Sequence, residues 1–379
     1  MSSASIYIHI PFCLSKCNYC DFNSYAGLDH LHEPYIEALK GEMASVAKAE
    51  GPLEALTVYL GGGTPTTLSL DLLAGILQAC KECFIVPESA EISIEVNPGA
   101  VDGGYLAALR CLNISRLSLG AQSFSEDMLA LLGRAHTADE TTETYHLARK
   151  AGFENISLDL IYSLPTQSLA QWQTDLSEAI AVQTEHLSLY CLSIEEGTPL
   201  ANMISTGTLP KTDPDLAAEM YSWAEDALNE AGYEHYEISN WARPGYECQH
   251  NVSYWGNKPY FGFGAGAHSF HDNCRYHNVL RPEEYVKLIQ AGKSPVAGKE
   301  EIDTSLEMSE TMVMGLRLCE GVYFADFEGR FHYSLISVYG EQIGELVGQG
   351  LLDVNNSGIR LTARGRLLGN EVFERFLPG

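Results

Sequence analysis

Ile6-Tyr7-Ile8-His9-Ile10-Pro11-Phe12-Cys13-Leu14-Ser15-Lys16-Cys17-Asn18-Tyr19-Cys20 joins a short apolar segment to three cysteines spaced C-x3-C-x2-C. The segment before Pro11 reads as a β-strand, and three thiolates in the loop behind it can reach one metal centre. A structural zinc site takes four protein ligands, often as two separated C-x2-C pairs. The other cysteines are scattered, and the one further C-x2-C, Cys80 and Cys83, falls in an apolar helical pattern with Leu72, Leu73, Ile76 and Leu77. A [4Fe–4S] cluster usually takes four cysteines. Held by three, it keeps one iron open to an outside ligand, which points to chemistry rather than scaffolding. Zinc completed by a distant Cys or His, and three unligated thiols, are the competing readings.

Outward from this loop, short apolar strands alternate with amphipathic helices to about residue 240. The strands read as Ile6–Ile10, Leu56–Leu60, Glu91–Val96, Ile114–Leu119, Ile156–Ile161 and His186–Leu192. Helical patterns fall at Pro34–Lys48, Leu70–Cys83, Asp139–Ala151, Leu169–Val182 and Asp215–Ala231. Repeated strand–helix units imply an α/β fold with a parallel sheet covered by helices. Six units are too few for a complete eight-fold barrel, and ligands of such sheets sit at the carboxyl ends of the strands. Ile204–Pro214 reads as a loop, and a linker is expected near Ala291–Thr304. Beyond it Thr304-x-x-Glu307 reads as a capping box opening a helix. A helix at Leu335–Val347, a hairpin at Leu351–Leu361 turning at Asn356-Ser357-Gly358, and a last helix to Phe376 complete a winged-helix-like pattern.

Composition narrows the function. A chain of 379 residues, 45% hydrophobic and 19% charged, is globular and long enough for one large domain and a smaller one. A net charge of −27 argues against a nucleic-acid partner, which needs clustered Lys and Arg. Arg360, Arg364 and Arg366 lie among acidic residues and read as packing or lid positions. No apolar run approaches the roughly 18 residues of a membrane span, and the amino terminus has no positively charged leader pattern. Ten cysteines without such a leader are expected to be reduced, in the cytoplasm.

The strand ends carry chemistry. Gly61-Gly62-Gly63-Thr64-Pro65 follows the second strand, where absent Cβ atoms let backbone approach a ligand. A phosphate loop would end in Lys-Ser/Thr, which is missing. Glu95, Gln122, Arg134 and Asp159 follow at or just after successive strands. Two carboxylates, an amide and a guanidinium suit a ligand with ribose hydroxyls, an ammonium and a carboxylate. Helix caps and surface pairs are the bland alternative for each residue taken singly.

Y-I-H-I-P-F-C-x3-C-x2-C resembles the opening of the radical S-adenosylmethionine (SAM) enzymes. The branch is that of the oxygen-independent coproporphyrinogen III oxidases and the HemW-type haem chaperones. The resemblance implies an open (β/α)6 partial TIM barrel over residues 1–240, a segment and linker over 241–300, and a smaller C-terminal α+β domain over 301–379. It implies a [4Fe–4S] cluster on Cys13, Cys17 and Cys20, whose open iron chelates SAM so that an electron donor can trigger cleavage to a 5′-deoxyadenosyl radical. By the same resemblance Gly62, Gly63 and Thr64 belong to the motif that meets the SAM amino group. Glu95, Gln122, Arg134 and Asp159 stand where the family binds SAM, Arg134 facing its carboxylate, with Tyr7 and Tyr19 flanking the cluster. Ser163 departs from relatives that often carry Gly there.

Two features separate the branches. The oxidases continue C-x3-C-x2-C-x-C, whereas Phe22 stands at the last position here, and they carry a substrate-binding N-terminal extension, whereas the first cluster cysteine here is residue 13. His250-Asn251-Val252-Ser253-Tyr254-Trp255 matches the H-N-x-x-Y-W motif of the HemW-type chaperones. Histidine is a common haem ligand and Tyr and Trp offer flat apolar faces, so His250, Tyr254 and Trp255 are expected to hold haem. The implied function is to bind haem and deliver it to acceptor proteins such as respiratory enzymes, with a peripheral membrane association through those partners. Oxygen-independent coproporphyrinogen III oxidation is the alternative, and a radical SAM methyltransferase a further one.

Overall fold

The computed structural model describes residues 2–378. Six strands form its frame: β1 Ser2–Ile10, β2 Leu53–Gly62, β3 Glu91–Val96, β4 Arg116–Gln122, β5 Ile156–Tyr162 and β6 His186–Cys191. Neighbours pair in parallel in that order. Successive strand side chains point to opposite faces. Ile6, Ile8, Val58, Leu60, Ile94 and Leu158 therefore join the core under the helices, each contributing about 1.5–3 kcal/mol of burial. The alternate positions, Tyr7, Tyr59, Glu95, Ser118, Asp159 and Tyr190, turn to the barrel interior. One alternation thus builds an apolar exterior and a polar lumen.

Helices Leu70–Cys83 and Leu169–Val182 have the limits expected from the sequence, and the first helix runs His32–Glu50. Ser69 caps Leu70–Cys83, and Ser168 with Gln171 forms a capping box on Leu169–Val182. Helix Gly103–Cys111, between β3 and β4, escapes the sequence pattern. It opens on two glycines and buries only Leu106 and Leu109, too few positions to mark a period.

The expected linker within 241–300 is corrected by the structure. β7 Glu234–Glu237 and β8 Asn240–Ala242 extend the β6 edge antiparallel. β9 Tyr260–Phe263 adds in parallel to the free side of β1. β10 His268–His271, β11 Cys274–Asn278 and β12 Val296–Glu301 then continue antiparallel. One twelve-stranded sheet results, in the order β12-β11-β10-β9-β1-β2-β3-β4-β5-β6-β8-β7. Cys-Arg-Tyr-His-Asn and Val-Ala-Gly-Lys-Glu-Glu have no apolar alternation, so pairing rather than local pattern makes them strands. Buried Glu42, on the first helix, ties this extension down. Its carboxylate accepts from the Gly264 N–H at 2.9 Å, the Asn278 amide at 2.6 Å and the Tyr285 hydroxyl at 2.5 Å. Burial pushes its carboxyl up to about 7, against those three hydrogen bonds.

A second core, from Met308 to Phe376, belongs to the C-terminal part. Helix Thr304–Gly315, strand Val322–Tyr323, helices Phe324–Phe331 and Leu335–Gly348, and the hairpin Leu352–Val354/Gly358–Leu361 follow in winged-helix order. Strand Val322–Tyr323 and helix Phe324–Phe331 are too short to show in the sequence. The first helix is capped by Asp303, which accepts from the Leu306 N–H at 2.8 Å, and not by Thr304. Glu307 instead pairs with Arg330 at 2.7 Å. The expected last helix is two short ones, Ala363–Leu367 and Gly369–Glu374. Arg366 reaches Glu225 of the barrel at 2.6 Å, Arg360 pairs with Asp353 at 3.3 Å, and Arg364 donates to the Gln349 carbonyl at 3.2 Å. Among the described residues no helix is long and apolar enough to cross a membrane.

Candidate cluster, nucleoside and porphyrin sites

The cysteine loop leaves β1 at Pro11 and is pinned by backbone. Gly63 N–H donates to the Ile10 carbonyl at 2.8 Å, Thr64 N–H to Phe12 at 2.7 Å, and Asn18 N–H to Leu132 at 2.9 Å. A Cβ on Gly63 would stand 2.6 Å from the Phe12 carbonyl oxygen, so this approach needs glycine. Cys13, Cys17 and Cys20 are free thiols, half-buried. Thr64 Oγ1 lies 3.7 Å from the Cys13 sulfur, an Arg134 guanidinium nitrogen 3.5 Å from Cys17, and Ser24 Oγ 3.9 Å from Cys20. Three thiols on one loop, with the Thr64 hydroxyl and the Arg134 guanidinium beside them, are a donor set that suits a [4Fe–4S] cluster bound by three thiolates.

All three cysteines line a cavity of about 490 Å³ at the carboxyl ends of the strands. Of the residues expected at a SAM site, Tyr19, Gly62, Gly63, Thr64, Glu95, Gln122, Arg134 and Asp159 line the same cavity. Gly62 has φ +109°, and a Cβ there would strike the His9 ring at 2.3 Å. Its N–H donates to Glu95 at 3.0 Å, and the Tyr59 hydroxyl donates to the same carboxylate at 3.1 Å. Burial pushes the Glu95 carboxyl up to about 7, with Asp159 adding to the shift and these hydrogen bonds opposing it. Asp159 is also raised by burial, although Ser118 at 2.7 Å and Ser157 at 3.1 Å donate to it. Arg134 donates to Asn97 Oδ1 and to the Gly120 carbonyl, both at 2.8 Å. Arg134 thus sits beside the Cys17 thiol in a cavity that Glu95 and Asp159 also line, a donor set for a zwitterion carrying a diol.

Tyr7 departs from expectation. It lines a neighbouring cavity, and its hydroxyl bonds to His9 Nδ1 at 2.9 Å. The sequence reading also missed Asn97, Ser118 and Tyr190 in the first cavity. Strand alternation could have found the last two, because they share a face with Asp159 and Glu95. Ser163 has φ +61°, a left-handed backbone at which glycine carries no Cβ penalty.

The neighbouring cavity measures about 570 Å³ and shares Phe22, Gly62 and Glu95 with the first. Tyr254 and Trp255 line it, from the helix Gln249–Trp255. That helix caps the amino-terminal end of the barrel: Ser5 donates to Ser253 at 2.8 Å, and Glu91 accepts from the His250 N–H at 3.3 Å. His250, expected as a haem ligand, lies buried in this structure, 1% exposed. Its Nδ1 bonds to Thr57 Oγ1 at 2.7 Å and its Nε2 to the Tyr254 hydroxyl at 3.0 Å. The ring stacks on Tyr59, centroids 5.1 Å apart. With both ring nitrogens hydrogen-bonded, the residue holds Tyr254 in the cavity wall.

Similarities to known proteins span nearly all of the chain. Residues 7–179 match the Radical SAM superfamily and residues 306–368 the HemN C-terminal domain. A Bacillus subtilis protein named Heme chaperone HemW is 37% identical, over 98% of this chain and 99% of its own length. A Mycobacterium tuberculosis protein of the same name is 35% identical, over 98% and 94%. The mouse mitochondrial Radical S-adenosyl methionine domain-containing protein 1 is 33% identical, over 99% and 87%. The solved structure of Escherichia coli coproporphyrinogen III oxidase (HemN), a radical SAM enzyme, superimposes with a TM-score of 0.87 at 24% identity. It covers 99% of this chain and 90% of that one, a likeness of fold.

Proposed function

This chain belongs to the HemW family of the radical SAM superfamily, and on that premise we propose that it is a haem chaperone. It binds haem and passes it to acceptor haem proteins, respiratory enzymes among them. The observation that carries this reading is the cavity walled by Tyr254 and Trp255, of about 570 Å³. It is within the roughly 300–1,000 Å³ of small-molecule sites and abuts the cysteine loop through Phe22. Unpaired cysteines and an oxygen-labile cluster suit a reducing compartment such as the cytoplasm.

Family membership implies a [4Fe–4S] cluster and SAM as cofactors. Cys13, Cys17 and Cys20 are the proposed cluster ligands, which bound together supply one-electron chemistry on SAM. The chain's own contribution is placement. Arg134 meets the carboxylate, the backbone of Gly62 and Gly63 with Thr64 meets the amino group, and Glu95 and Asp159 accept from the ribose hydroxyls. Gln122 and Tyr19 complete the walls. Tyr7, from the second cavity, backs His9.

Glu95 makes SAM binding depend on pH. With its carboxyl raised to about 7, protonation on going from pH 8 to pH 6 removes an acceptor for the ribose diol. The dissociation constant of SAM, measured by calorimetry on cluster-loaded protein, is expected to rise several-fold over that interval. Glu95→Gln should flatten the profile at the weaker value; a profile equally steep in Glu95→Gln refutes the assignment.

Product analysis with coproporphyrinogen III, SAM and a reductant tests the function. A haem chaperone leaves the porphyrinogen unchanged. Accumulation of protoporphyrinogen would instead assign the oxidase activity, and a methylated product the methyltransferase reading. Phe22, where the oxidases carry a further cysteine, lies 64% exposed at the boundary of both cavities.

A further inference from the structure

A haem carrier needs a ligand for the iron, and His250 has no free nitrogen to give. Across the same cavity stands His268, exposed on β10, with its cross-strand partner His277 on β11 stacked against it at 5.2 Å and 27°. Among the described residues neither ring makes a side-chain hydrogen bond within the chain, so lone pairs remain. Burial, His277 and Arg275 together lower the His268 pKa, which favours the neutral imidazole that can ligate iron.

The remaining walls suit a flat dianionic macrocycle. Tyr254, Trp255 and Phe270 supply aromatic faces. Lys258 and Arg275 bring two cations to a cavity of an otherwise strongly acidic chain, where propionates need them. Arg275 is held in place by Glu310 at 2.7 Å, so Lys258 carries the uncommitted charge.

We propose that haem binds in this second cavity with His268 as its axial iron ligand, and that His250 acts as a positioning residue through Tyr254. The proposal rests on the haem chaperone reading and adds to it which residue holds the iron. Because Phe22, Gly62 and Glu95 line both cavities, bound haem would lie next to the nucleoside site.

Haem titration of the full-length, cluster-loaded protein tests it by difference spectroscopy. His268→Ala is expected to weaken haem binding by more than about tenfold, since even loss of a residue behind a metal ligand costs that much. It should also lose the histidine-ligated spectrum and regain it when imidazole is added. His250→Ala should keep that spectrum, with weaker binding and a lower melting temperature in the absence of haem. A His268→Ala protein with wild-type affinity and spectrum overturns the proposal while leaving the haem reading intact. So does a His250→Ala protein that loses the ligand spectrum and recovers it with imidazole. Failure of the wild type to bind haem overturns both.

Discussion

Cys13→Ala, Cys17→Ala and Cys20→Ala are each expected to yield protein that holds no stable cluster after anaerobic loading with iron and sulfide. Three thiolates converge on one cavity, and two cannot retain a centre that normally takes four cysteines. Iron should fall from about four per chain to near zero, with loss of the reduced-state EPR signal. The three cysteines are outside the buried hydrophobic core, so the melting temperature of the metal-free protein should barely move. Cys83→Ala is the matching control. Cys83 ends the helix Leu70–Cys83, packed against the core and away from the cavity, and its removal should leave the iron content unchanged. Full iron in any of the three loop variants, or a stoichiometric zinc ion in the wild type, would refute the assignment.

Arg134→Ala should have the next largest effect, on SAM binding. The guanidinium is fixed by Asn97 and by the Gly120 carbonyl, with a nitrogen 3.5 Å from the Cys17 sulfur. Truncating one partner of a buried charge pair costs about 2–5 kcal/mol, which raises the dissociation constant roughly thirtyfold or more. Arg134→Lys should recover only part of this, because an ammonium cannot hold Asn97 and Gly120 while forking to a carboxylate. Calorimetry on cluster-loaded protein measures the change, and iron counting separates lost SAM contacts from a disturbed cluster. Unchanged SAM affinity in a variant with full iron would remove Arg134 from the site.

Much of this architecture is legible in the sequence because it is local. The six parallel strands carry apolar alternation, and the helices Leu70–Cys83 and Leu169–Val182 have the limits their periodic pattern sets. The position of each motif at a strand end follows from the βα order alone, which is why eight expected nucleoside-site residues share one cavity. What escapes is set by tertiary pairing. Cys274–Asn278 and Val296–Glu301 have no strand pattern and become strands only because β1 offers an edge and Glu42 anchors the extension. Nor does H-N-x-x-Y-W reveal that it lies on a helix capping the barrel. His250 and Tyr254 are four residues apart, so they face each other on one side, and the motif histidine bonds to the motif tyrosine rather than facing the cavity. His268 and His277 meet only across the β10–β11 pair, with no sequence signal to link them.

Haem titration into anaerobic, cluster-loaded wild-type protein tests the central claim most directly. The account predicts a saturable Soret difference at one haem per chain, with the coordination of a histidine-ligated iron, and no saturation of comparable affinity after the aromatic wall is opened by Tyr254→Ala with Trp255→Ala. An absorbance that climbs without saturation, equally in wild type and in that double variant, would contradict it.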